Sequence, residues 1–230
     1  MLNSGFIHLL LDIIYPENVY CACCGDCIDA SRIHGICDSC IEKIQWTDEN
    51  PLEDFMDGFY FDDVLSCCVY GYYPRLLVYG LKVHGKRYIA KGLGKLLAER
   101  AQMDGQLFDL LVPVPVTKKK LRQRGFNQSE LLAKYAAEDL KIPCETDVLF
   151  KIRETASLKL SSGNDRRLML EGAFEIRNAD KVRGKSILLV DDVITTGSTA
   201  TECARMLKEA GALSVCVLCF AGSPQSVTND

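Results

Sequence analysis

Apolar and polar positions alternate in period along this chain. Ile187–Val190 is a short continuous apolar run, which reads as a buried strand of a parallel sheet. After it, Ala200, Cys203, Ala204 and Leu207 recur at helical spacing, predicting a helix to about Ala210 that Gly211 stops. Asp109–Val116 predicts a second buried strand, ended by Pro113 and Pro115, with a helix following to about Leu140. Upstream, 59–73 is apolar and β-prone, enough for one or two strands. Pro74 opens a helix to about Lys82, and 88–103 carries Ile89, Leu93, Leu96 and Leu97 on one helical face. Residues 6–15 read as a short helix ending at Pro16 and packing on the main domain. Residues 42–58 read as an acidic linker. The alternation predicts an α/β fold: a central, mostly parallel sheet with helices on both faces.

Length and composition divide the chain without changing that class. Its 230 residues, 48% hydrophobic and 25% charged, suit a medium domain over 51–230 and a small unit over 1–50. A net charge of −4 gives no global attraction to nucleic acid or anionic membrane. The basic residues are clustered, in Lys82–Arg87, Lys118–Arg124 and Arg153–Arg167, each expected in a loop where they can converge on phosphate. No run reaches the roughly 18 apolar residues of a membrane span, and Phe6–Tyr15 lacks the flanks of a signal peptide. A cytoplasmic protein with reduced thiols is expected.

Eleven of the twelve cysteines fall into two groups. Cys67, Cys68, Cys203, Cys216 and Cys219 lie in apolar stretches as small core residues. Cys21/Cys24 and Cys37/Cys40 are two C-x-x-C pairs whose turns aim four thiolates at one structural Zn²⁺. Cys24/Cys27 is a competing pair, and Cys23 is a further neighbour, so the second knuckle is the firmer one. Cys21 and Cys24 are preferred because Gly25 follows, where a knuckle needs a residue without Cβ.

The candidate chemistry lies beyond the Ile187–Val190 strand. Asp191 and Asp192 stand at its carboxyl end, where ligands of open α/β sheets bind. Thr195, Thr196, Gly197, Ser198 and Thr199 then open a helix whose free N–H groups and dipole suit a phosphate. Paired acids beside a phosphate loop fit a ribose 5-phosphate. With burial at a strand end only partial, Asp→Asn at either acid is expected to alter stability within roughly 1 kcal/mol. Arg122 and Arg124 supply planar forks for a pyrophosphate. Gly184-Lys185-Ser186 is no P-loop, because position 179 is Ala and a strand follows.

Leu-Leu-Val-Asp-Asp-Val-Ile-Thr-Thr-Gly-Ser-Thr resembles the PRPP-binding signature of type I phosphoribosyltransferases. With the four-Cys segment, Leu81-Lys82, Val112-Pro-Val-Pro115 and Arg124-Gly-Phe-Asn-Gln128 in this order, the resemblance narrows to the ComF family of late-competence, phosphoribosyltransferase-like proteins linked to DNA uptake. It implies ribose hydroxyls on Asp191 and Asp192 and the 5′-phosphate on Thr195–Thr199. The pyrophosphate of Mg·PRPP would meet Lys82, Arg122 and Arg124. Asp191, Asp192 and Arg124 would assist transfer to an unidentified nitrogenous acceptor. Leu158 and Leu170 replace the family's Gln and Asn in the segment that closes over substrate. The rival expectation is therefore a PRPP-sensing or partner-binding protein of the DNA-uptake machinery. Direct binding of single-stranded DNA is the weakest reading, for want of an aromatic stacking set.

Overall fold

The computed structural model describes residues 19–29, 31–154, 170 and 172–223. The expected helix at 6–15 and most of the substrate-closing segment lie outside them. In chain order the elements are helix α1 (Asp38–Ile41), strand β1 (Asp63–Val69), helices α2 (Tyr72–Lys82) and α3 (Ile89–Asp104), and strand β2 (Leu110–Pro113). Helices α4 (Lys118–Arg124) and α5 (Gln128–Leu140) follow. Strands β3 (Leu149–Lys151), β4 (Phe174–Ile176) and β5 (Ser186–Ile194), helix α6 (Ser198–Glu209) and strand β6 (Ser214–Gly222) complete the chain.

Four strands form one sheet in the order β1-β6-β5-β2, every pair parallel. Alternate side chains of β5 enter opposite cores, as a period of two requires. Leu188 and Val190 pack with Leu81, Leu93, Leu97 and Leu132 of α2, α3 and α5. Ile187 and Leu189 pack with Ala200, Cys203, Ala204 and Leu207 of α6. Both faces are therefore dry, which explains why the strand reads as an unbroken apolar run. Strands β3 and β4 form a separate antiparallel pair, and β4 lies against α6.

Three local expectations are corrected. Lys118–Arg124 is a helix and not a loop, although none of its residues is buried. The Thr117 side chain caps it by accepting from Lys120 N at 3.3 Å, and left-handed Gly125 (φ 77°) ends it. Residues 42–58 are not a free linker. Thr47 N donates to Cys67 O and Val69 N to Gln45 O, so this stretch pairs beside β1. Leu52 is fully buried, and Glu53–Gly58 is a 3₁₀ helix. Finally, β5 runs four residues past Val190, to Ile194, because Asp191, Val193 and Ile194 keep their register with Cys219, Ala221 and Gly222 of β6.

The cysteine segment is seated on the main core. Ala22, Ile36, Cys40 and Ile44 belong to the cluster built on α2, α3 and α5. Gly92 permits this approach, since a Cβ there would lie 2.1 Å from His34 O.

Candidate functional site

The extension of β5 decides how the two acids differ. Consecutive strand residues point to opposite sides. Asp192 turns inward and is 2% exposed, with Lys82 Nζ, from the last turn of α2, 2.7 Å from its Oδ2. Asp191 is half-buried, and its Oδ1 accepts from Ser129 Oγ and from Asp192 N, both at 2.9 Å. The expectation of partial burial thus holds for Asp191 and fails for Asp192. Burial, then the charge of Asp192, pushes the Asp191 carboxyl up to about 7, against the opposing pull of Lys82. Burial disfavours the charged form of Lys82, but the fields of Asp192 and Asp191 outweigh it and hold its pKa above the ordinary lysine value.

The hydroxyl-rich loop follows at once. Thr196 Oγ1 and Ser198 Oγ share a hydrogen bond at 2.9 Å. Gly197 takes the left-handed conformation (φ 68°), and a Cβ there would meet the Phe59 ring at 2.9 Å and Leu52 at 3.0 Å. Backbone shape and packing therefore both require glycine. The first intrahelical bond of α6 runs from Thr201 N to Gly197 O, leaving the amides of Ser198, Thr199 and Ala200 ahead of the ladder. Thr195 is exposed at the outer edge.

The third side is Arg124-Gly-Phe-Asn-Gln128. Arg124 Nη1 donates to Gln128 Oε1 at 3.0 Å, and Arg124 is close enough for its charge to act on Lys82. Asn127 accepts from Ser129 N and donates to Val114 O, which pins the start of α5 to the end of β2. Arg87 stacks 4.7 Å over Phe126 and donates to Gly125 O. Arg122 is exposed on α4. Lys82, Arg124, Asp191, Asp192 and the Thr196–Ser198 loop thus share the carboxyl edge of the sheet, with Arg122 two residues before Arg124 on the exposed helix α4.

At the other end, the thiols of Cys21, Cys24, Cys37 and Cys40 lie within 4.8 Å of one another. Four sulfurs about 2.3 Å from a central ion form a tetrahedron with edges of about 3.8 Å. The Cys24 and Cys37 sulfurs are 3.7 Å apart. Cys27 and Cys23 are not in this cluster, and Gly25 is left-handed (φ 82°) as the first knuckle requires.

The phosphoribosyl transferase domain model matches residues 127–230. The chain is 30% identical over 209 residues to "DNA utilization protein YhgH" of Escherichia coli O157:H7, covering 89% of this chain and 84% of that protein. It is 27% identical over 198 residues to "Competence protein F" of Haemophilus influenzae, covering 84% and 80%. Over 102 residues it is 37% identical to "Competence protein ComFC" of Bacillus subtilis, covering 44% and 39%. The chain belongs to the ComF family. Its ComF architecture is a phosphoribosyltransferase-type α/β fold with a four-cysteine cluster ahead of it. Among the described residues, no helix is long and apolar enough to cross a membrane.

Two ComF site neighbours carried no sequence signal of their own. Ser129 follows the Arg-Gly-Phe-Asn-Gln motif, but its bond to Asp191 spans 62 positions. Lys151 closes the three-residue strand β3 and reaches the face of Phe174 on β4, with its ammonium 5.0 Å from the ring centroid.

Proposed function

We propose that this ComF-family protein binds PRPP and transfers its phosphoribosyl group. The observation that carries the reading is the meeting of the Asp191–Asp192 pair with the Gly197 loop at one strand end. The amides of Ser198, Thr199 and Ala200 and the hydroxyls of Thr195, Thr196, Ser198 and Thr199 hold the 5′-phosphate. Asp191 and Asp192 hold the ribose diol, and Lys82 bridges from Asp192 to the ligand's anionic side. Arg122 and Arg124 face the pyrophosphate. Mg²⁺, entering as part of the substrate Mg·PRPP, would neutralise charge on the pyrophosphate that Arg122 and Arg124 face. As the C1–O bond breaks, positive charge develops on the ribose, and the fixed acid pair stabilises it while the arginines stabilise the departing anion. A nitrogen nucleophile then completes the transfer.

Cys21, Cys24, Cys37 and Cys40 hold one Zn²⁺ in this reading, and the clustering of their four sulfurs within 4.8 Å of one another supports it. The ion supplies folding energy to a short segment over 1–50 that has little core of its own, ahead of the transferase unit over 51–230. A cytoplasmic setting belongs to the same reading, because it keeps the four ligand thiols reduced. The relatives' names, DNA utilization and competence protein, support work beside DNA uptake.

One observation favours a non-catalytic PRPP sensor. Leu170, where the family's Asn would stand, is 6% exposed in the core beside α6 and cannot reach a ligand. Pyrophosphate release from Mg·PRPP across a panel of nucleobases and amines separates the two. Release with at least one acceptor supports transfer; saturable binding with no release supports the sensor.

A further inference from the structure

Lys151 is absent from every motif above, yet it is built into the carboxyl edge of the sheet. Its backbone bridges in parallel to Thr117, just beyond β2, and Thr117 caps the basic helix α4. Its partner across the hairpin is Phe174, which is 3% exposed and packs with Ala200, Cys203 and Ala204 of α6. The hairpin therefore holds Lys151 against the helix that the phosphate loop opens.

The surroundings of the ammonium are unusual for a lysine. Its described close contact is the flat face of Phe174, 5.0 Å away. The titratable groups acting on it are Cys203 of α6, Lys120 of α4, which carries the same sign, and Asp191. Nearby carboxylates are already engaged. Asp191 accepts from Ser129, and Glu154 meets Thr117 and Lys119, each at 3.4 Å. Burial accordingly draws the Lys151 pKa below the ordinary lysine value. A half-buried cation with an aromatic floor and a like-charged neighbour gains most from an incoming anion.

We infer that Lys151 is a ligand-binding residue that takes a phosphate oxygen of the bound phosphoribosyl compound, from beneath the β3–β4 hairpin. The inference rests on the PRPP reading and adds a cation on the Asp191 side of the ribose, opposite Lys82 on Asp192. The phosphate is either the 5′-phosphate, since α6 is adjacent, or the pyrophosphate, since α4 is adjacent. The shared chemistry is an anionic phosphoryl oxygen.

The test is calorimetric titration of wild type and Lys151→Met with Mg·PRPP, ribose 5-phosphate and Mg·pyrophosphate in parallel. Met keeps the apolar stem on Phe174, and Lys151→Gln serves if the Met variant does not fold. PRPP affinity should fall at least about tenfold, as expected for a lost charge-assisted hydrogen bond. Lys151→Arg should keep most of the affinity. The smaller ligand that weakens in step identifies the phosphate. Equal PRPP affinity in wild type and a folded Lys151→Met protein overturns the inference and leaves the wider PRPP reading intact. Failure of wild type to bind PRPP overturns that reading itself.

Discussion

The Lys82–Asp192 pair gives the sharpest energetic prediction. Asp192 is 2% exposed and Lys82 is 30% exposed, with 2.7 Å between Nζ and Oδ2. Replacing Lys82 by Met keeps an apolar stem of similar length but strands a carboxylate in the interior. Losing one partner of a buried pair costs about 3–5 kcal/mol, and the partial exposure of Lys82 favours the lower end. Asp192→Asn leaves the opposite orphan, an ammonium that can turn toward water, and should cost only about 1–2 kcal/mol. The double variant should lose at least about 1 kcal/mol less than the sum of the two singles, since neither buried charge then remains unpaired. Urea unfolding at neutral pH measures all three. The corresponding fall in melting temperature for Lys82→Met is about 6–12 °C for a chain of this size. A Lys82→Met loss below about 0.5 kcal/mol, or strict additivity in the double variant, would refute the argument that Lys82 neutralises a buried acid.

Two further outcomes follow from the same geometry. Protein purified without chelators should carry about one Zn²⁺ per chain by atomic absorption, and Cys37→Ser or Cys40→Ser should release it while the parallel sheet stays folded; a wild-type stoichiometry near zero contradicts the cysteine assignment. The Asp191 carboxyl, raised to about 7 in the fold against an ordinary value near 3.9, binds more protons folded than unfolded between those limits. Its contribution to stability is therefore full below about pH 4 and is lost as pH rises through about 7. Over pH 5 to 7.5 the wild type should lose more stability than Asp191→Asn, and parallel profiles would remove the basis for a raised pKa.

Much of this molecule could be read from residue order, because the informative patterns are local. An unbroken apolar run names a strand buried on both faces, and β5 is one. Hydroxyls and a glycine after paired acids name a phosphate loop, and Gly197 has the left-handed backbone that such a turn needs. Four thiols in two C-x-x-C pairs converge because each pair is a turn. The misreadings arose where long-range packing decides. A run of lysines and arginines looks like a loop until Thr117 is seen to cap it and Gly125 to close it. An acidic stretch looks like a linker until Leu52 is found under the Gly197 loop. Asp191 and Asp192 are neighbours with equal claims in sequence, and only the register of β5 on β6 assigns one to Ser129 and the other to Lys82. Lys151 was silent because its meaning comes from the Thr117 bridge and the Phe174 ring.

The central claim is that the end of β5 and the start of α6 bind a phosphoribosyl group. Calorimetric titration of Mg·PRPP into wild type, Asp191→Asn and Thr196→Val tests it most directly. Asp191 is half-buried and Thr196 sits in the loop, so both variants should fold. Each loses one hydrogen bond to the ligand, charge-assisted in the case of Asp191, worth roughly 1.5–3 kcal/mol, or about ten- to a hundredfold in affinity. Saturable wild-type binding that weakens by that factor in both variants is the predicted result. Wild-type protein that binds no PRPP, or two folded variants with unchanged affinity, would contradict the claim.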